Sequence, residues 1–252
     1  MKGNTLGARN FTAITVVRAG LFIAMSLVLK VIFEIYIPLG GMPALRINFA
    51  SIPIMLSGII LGPVIGFCTG AASDIINFIV KPSGPFFPGL TLVSALSGMI
   101  PGLIYKYIKK DINYNILNTI FISLISVGFV TVFLTNGIMY FENNVLMYGE
   151  SPLSAGYIIG FIILVLIYLF IPIKLTNIEN NKIQMNKIVF TVSVTQLITS
   201  IILNTYFLSI MFGKGFLIFL PARILTNFFM IPLYSIIITA IMKALNSRLL
   251  KL

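Results

Sequence analysis

The sequence predicts an all-α integral membrane protein, a polytopic helical bundle that forms a single membrane domain over residues 1–252. Three observations carry that expectation. The chain is 58% hydrophobic and only 9% charged, and its mean hydropathy of +1.06 lies outside the range of soluble globular domains. Apolar runs close to the ~20 residues needed to cross ~30 Å of hydrocarbon recur along its whole length. The net charge of +11 does not form a nucleic-acid patch, because the basic residues are scattered through the short connections between those runs.

Taken in order, the apolar runs give about eight spans: Thr12–Phe33, Ile47–Leu61, Pro63–Val80, Leu90–Ile108, Ile116–Met139, Leu153–Ile173, Ile188–Phe212 and Phe216–Met242. The first lacks the short apolar core and small-residue cleavage site of a secretory signal, so it is read as retained. The second is short, tilted or partly re-entrant. Gly62-Pro63 joins it tightly to the third, since proline suits the first turn of a new helix. With the N-terminus inside, twelve of the seventeen basic residues fall on inner segments, among them Lys2, Arg9, Arg18, Lys106, Lys109, Lys110, Lys174, Lys243 and Lys251. Lys30, Arg46, Lys81, Lys214 and Arg223 fall in the outer half. This bias predicts a multi-pass protein of the cell membrane with both termini cytoplasmic. The connections Glu34–Arg46, Lys81–Gly89 and Gly213–Gly215 then share the outer side.

Several chemistries are disfavoured. Histidine is absent and Cys68 is the single cysteine, so there is no internal disulfide, and zinc, haem or iron–sulfur ligation is not expected. No metal site and no cofactor are predicted. The chain has no G-x-x-x-x-G-K-[ST] phosphate loop.

The outer segment KPSGPFFPG, Lys81–Gly89, concentrates prolines and glycines around Phe86 and Phe87. Pro82, Pro85 and Pro88 fix φ and remove donors, so the segment cannot be helical and should hold one shape. Non-helical backbone at membrane depth survives where protein or a watery cavity covers it. Two readings stand: a gate over a cavity, or a structured turn with interfacial aromatics. Asp74 lies inside the third span, where a carboxylate costs about 2.5–3.5 kcal/mol on the insertion scale and should face the bundle interior. Arg46, Asn204 and Arg223 could converge with it on the outer half. An Asp74–Arg223 ion pair and an interhelical hydrogen bond from Asn204 are the purely structural alternatives.

The segments LRINFASIPIMLSGIILGPVIGFCTGAASDII, KPSGPFFPGLTLVSALSGMIPGLIY and LNTYFLSIMFGKGFLIFLPARILTNFFMIPL resemble, in order, the folate-type substrate-binding (S) components of energy-coupling factor (ECF) transporters. The resemblance covers residues 12–110 and 186–245. It implies a bacterial membrane protein that binds a vitamin from outside under its connecting loops. The partners would be a transmembrane coupling protein and two cytoplasmic ATPases, and this chain would be no enzyme. Such components have six spans, so residues 111–185 read as an inserted helix pair. Ser83, Phe86, Phe87 and Gly89 occupy the loop motif, with Arg46 in L-R-I, Asn204 in N-T and Arg223 in P-x-R. For a folate, aromatic rings would cover the pterin faces and Asp74 would accept from its amino edge. Arg46, Lys81 or Arg223 would pair with the glutamate carboxylates.

On the first span, Gly20 and Ala24 share one face, where small side chains permit close approach of another helix. The resemblance implies contact with the coupling protein there; the alternative is packing within this chain. Two other functions remain. An S component for pantothenate or another small vitamin would keep the fold. A membrane-embedded enzyme acting on a lipid or quinone would need a reactive site that six acidic residues and no histidine scarcely supply.

Overall fold

A computed structural model of the chain describes residues 12–39, 42–82, 85–108, 114–135, 139–142, 145–148, 151–152, 185–213 and 215–249. The expected span Leu153–Ile173, Lys214 and the loop residues Ser83 and Gly84 lie outside them. Two compact units are present, one comprising residues 1–110 and 194–207 and the other residues 111–193 and 208–252.

The first unit opens with α1, Ala13–Phe33, capped by Thr12, whose hydroxyl accepts from the Thr15 backbone N–H. A two-stranded antiparallel hairpin follows, β1 (Ile35–Leu39) and β2 (Met42–Ile47), pairing Tyr36 with Arg46. The connection read as an outer loop is therefore ordered as strands, and it delays the second helix. That helix, α2, runs Ser51–Leu61 rather than from Ile47, because β2 uses the backbone groups of Ile47 in the ladder. At Gly62 the backbone turns with φ +100, a conformation that L side chains avoid, and Pro63 starts α3, Pro63–Val80. Helix α4, Pro88–Tyr107, begins directly after the extended Phe87.

Helices α2, α3 and α4 touch through backbone. A Cβ on Gly66 would come within 2.6 Å of the Gly58 Cα and 2.8 Å of the Gly98 carbonyl carbon, and one on Gly70 would lie 2.8 Å from the Ser94 carbonyl carbon. At the other end, Gly102 meets Pro63 in the same way at 2.8 Å. In lipid the chain tails are as apolar as leucine, so close van der Waals packing of small residues is what joins helices. The pairs Gly66–Gly98 and Gly70–Ser94 rise along α3 while descending along α4, which makes the two antiparallel. Pro53, Met55 and Leu56 of α2 and Ala95 of α4 fill the centre. Along α1, Ile14, Val17, Leu21, Val28 and Ile32 remain exposed, as expected of a lipid-facing surface.

In the second unit, α5 (Tyr114–Thr135) starts and ends a few residues before the expected span. Met139, expected at its end, belongs instead to β3, Met139–Glu142, in an antiparallel sheet with β4, Val145–Tyr148, and β5, Ser151–Pro152. Helix α6 covers Met185–Phe212, with an α segment to Gln196, a π segment Leu197–Asn204 and a final α segment from Thr205; its residues 194–207 belong to the first unit. Its first residues pack on α5 through Tyr114 and Phe190, ring centroids 6.0 Å apart, and through Asn118, which donates to the Asn186 carbonyl at 3.2 Å. Helix α7, Phe216–Leu249, continues past the expected Met242. Among the described residues, five helices are long and apolar enough to cross a membrane, and Ser51–Leu61 is a shorter apolar helix. The fold is thus a helical membrane bundle with two small sheets in its connections.

Candidate functional site

Three residues of α3 recur every four positions, Gly66, Gly70 and Asp74, and so lie on one helical face. The first two are pressed against α4 by their lack of a side chain. The third, one turn further on, therefore also meets α4. Thr91 donates its hydroxyl to one Asp74 carboxylate oxygen at 2.8 Å, and Ser94 donates to the other at 3.3 Å. Asp74 is only half-buried, so its remaining acceptor capacity is open to a further donor.

Directly above, the Pro/Gly loop lays its two phenylalanines on different supports. Phe86 is 49% exposed and packs edge-on against Phe78 of α3, ring centroids 5.2 Å apart. Phe87 is half-buried and lies 5.7 Å from the ring of Phe207 on α6. Phe207 in turn lies 5.6 Å from Tyr206. Gly89 is a close-approach position, since a Cβ there would meet the Phe207 ring at 2.7 Å. Asn204, one turn before Phe207, ends the π segment, which packs against α4. Phe87 and Gly89 thus meet Phe207 at the Pro88 end of α4, whose Thr91 and Ser94 hold Asp74. Thr91, Ser94 and Phe207 are residues that sequence reasoning did not single out, and among the described residues no hydrogen bond joins Asn204 to Asp74. π segments recur at functional positions because they displace side chains from the regular helical phase.

A second polar seam runs on the neighbouring face of α3. Ser73 donates to Ser26 of α1 at 2.8 Å, and Asn77 donates to Ser73 at 3.2 Å. All three are buried, and the Asn77 side-chain carbonyl has no hydrogen-bond partner. Lys30, one turn beyond Ser26, is buried as well.

The remaining expected site residues are placed as follows. Lys81 is exposed and ends α3, its backbone N–H donating to the Asn77 carbonyl at 2.9 Å. Arg46 sits on β2 opposite Tyr36. Arg223 belongs to the second unit, buried on α7, where Asn227 donates to its carbonyl at 2.7 Å. Ser83 lies outside the described residues. On α1, Gly20 and Ala24 are both exposed, and a Cβ at Gly20 would meet nothing within 4 Å. Among the described residues no group of three or more His, Cys, Asp or Glu side chains could hold a metal.

A model of the ECF transporter substrate-specific component matches residues 15–155. A folate transporter FolT from Clostridium novyi (strain NT) is 26% identical over 147 residues, 51% of this chain and 85% of that protein. A crystal structure of FolT bound with folic acid superposes with a TM-score of 0.52 at 18% identity, covering 90% of each chain, and so shares the fold. The stretch matched by the family model holds α1 to α4, the glycine stripe, Asp74 and the aromatic loop; the chain belongs to the family of ECF transporter substrate-specific components.

Proposed function

We propose that the chain binds folate with high affinity and delivers it for uptake. The observation that carries this reading is a carboxylate, Asp74, steadied by the Thr91 and Ser94 hydroxyls in the same unit as the Phe87–Phe207 aromatic pair. A pterin presents two faces and an edge rich in N–H donors. The rings of Phe87 and Phe207 would cover a face, where offset or tilted aromatic contacts are favourable. Asp74 would accept from the amino edge, a charge-assisted bond strengthened by the low dielectric of the membrane interior. The two hydroxyls keep the carboxylate in one rotamer, so less entropy is lost when the ligand arrives. Arg46 or Lys81 of the same unit would meet the glutamate carboxylates, Arg offering the planar fork that fits them. Ser83 and Gly89 would shape the loop, and Asn204 would donate or accept beside Phe207. The folate transporter and the folate-bound structure that this chain resembles support the same ligand.

Energy would come from other chains. Two cytoplasmic ATPases would hydrolyse ATP, and a transmembrane coupling protein would dock along the uncovered Gly20–Ala24 face of α1. The charge bias of the connections supports a bacterial cell membrane location with both termini cytoplasmic. Residues 111–185 would be a helix pair added to a six-helix core that comprises residues 12–110 and 186–245.

Isothermal calorimetry on the detergent-purified chain tests the reading with folic acid, 5-formyltetrahydrofolate and pantothenate. Saturable binding of a folate in the absence of any partner is expected. Saturation by pantothenate alone would remove the folate assignment and leave the family intact.

A further inference from the structure

At the end of α4 opposite Pro88, the first unit contains a cavity of about 600 Å³ that the folate reading does not use. The α2–α3 elbow at Gly62 forms one side, with apolar walls from Ile60, Val64 and Ile65, and the last turn of α4 forms the other with Tyr105, Lys106 and Tyr107. Two facts about the mouth point to its occupant. Lys106 is exposed and its ammonium lies 5.2 Å from the Tyr107 ring centroid, while Tyr107 is itself 66% exposed. A cation and two phenols at the end of a membrane helix, above apolar walls, are the donor set that phosphate esters at a bilayer surface accept.

We propose that this cavity binds an anionic glycerophospholipid, its phosphate at Lys106 and the two tyrosines and the start of its acyl chains along Ile60, Val64 and Ile65. The volume falls within the ~300–1,000 Å³ of small-ligand sites, which suits one lipid headgroup better than a partner helix. The charge balance selects an anionic over a zwitterionic lipid, since a lysine at a membrane surface attracts anionic headgroups. The lipid would hold the elbow and the end of α4 together at the level where the bundle meets the polar boundary. The proposal stands apart from the identity of the transported vitamin.

Native mass spectrometry of the full chain in mild detergent tests it, after incubation with phosphatidylglycerol or phosphatidylcholine of identical acyl chains. Retained phosphatidylglycerol should exceed phosphatidylcholine, and Lys106→Gln should lower its occupancy about fivefold. Val64→Trp, which fills the cavity from an exposed position on its wall, should abolish it. Glycerol phosphate should not compete. Folate calorimetry on the same samples should be unchanged for Lys106→Gln, which separates this site from the transport ligand and shows the variant is folded. Equal retention of the two lipids would overturn the proposal, as would insensitivity to Lys106→Gln. Competition by glycerol phosphate would make it a soluble-anion site instead. Unchanged lipid with loss of co-purifying transporter chains would make it a protein-docking surface.

Discussion

In the proposed site Asp74 and Phe87 would contact the ligand, and their surroundings set how each should respond to change. Asp74→Asn keeps the volume and a carbonyl acceptor for Thr91 or Ser94 but removes the charge. Because a charge-assisted hydrogen bond is roughly twice as strong as a neutral one, folate binding should weaken by about 1–3 kcal/mol with little change in thermal stability. Calorimetry and a melting curve on the same preparation check both halves. The two phenylalanines of the loop should separate. Phe87 rests on Phe207 and is half-buried, whereas Phe86 is half-exposed on Phe78. Phe87→Ala should cost about 1–3 kcal/mol of affinity and hasten release, while Phe86→Ala should cost less. Equal, negligible effects of both would return the loop to a structured turn. Which side chains hold Asp74 was not legible in the sequence, because Thr91 and Ser94 are seventeen and twenty residues away. A carboxylate in a span announces that it needs partners; it does not name them.

At the scale of elements, the decisive contact is α3 against α4. Gly98→Leu would drive a branched side chain into the Gly66 backbone, which no rotamer can avoid. Overpacking of this kind typically costs 1–3 kcal/mol or more. The expected outcome is a lower melting temperature together with lost folate binding, because the Asp74–Thr91 pair lies on the same helix interface. A variant that melts and binds like the parent would show that α3 and α4 can separate without consequence. The spacing Gly66-x-x-x-Gly70 on α3 and Ser94-x-x-x-Gly98-x-x-x-Gly102 on α4 is the legible sign of this interface, and attention to Gly20 and Ala24 alone passes over it. The hairpin of β1 and β2 was legible too. Gly40-Gly41 between two short, largely apolar runs is a turn signal. The π segment had no such sign, since its extra residue depends on what α4 presents to it.

For the whole molecule, the question is how capture by this chain becomes transport. Gly20 and Ala24 face away from the described contacts of α1, whereas Ser26 and Lys30 are buried. Ala24→Trp should therefore leave folate binding within a factor of a few, about 1 kcal/mol or less for a surface change outside the site, yet abolish uptake in cells that make the coupling protein and ATPases. Pull-down of those partners alongside radiolabelled uptake checks it. Normal uptake would place the docking face elsewhere, while lost folding would show that α1 turns this face inward.

Legible in the sequence alone were the membrane class, the helices α1, α3 and α4 close to their observed bounds, the Gly62-Pro63 joint and the carboxylate of Asp74 inside a span. These follow from local quantities: hydropathy over about 20 residues, proline and glycine conformation, and the cost of burying one charge. The packed helices alone reveal that Thr91 and Ser94 hold Asp74, that Phe87 rather than Phe86 meets α6, and that the α2–α3 elbow leaves a cavity beside Lys106. Those depend on which face of each helix meets its neighbour and at what height. In a membrane that choice is made by backbone-to-backbone contact at a few glycines; their spacing marks the faces, but which glycine meets which, tens of residues away, is set by the packed helices.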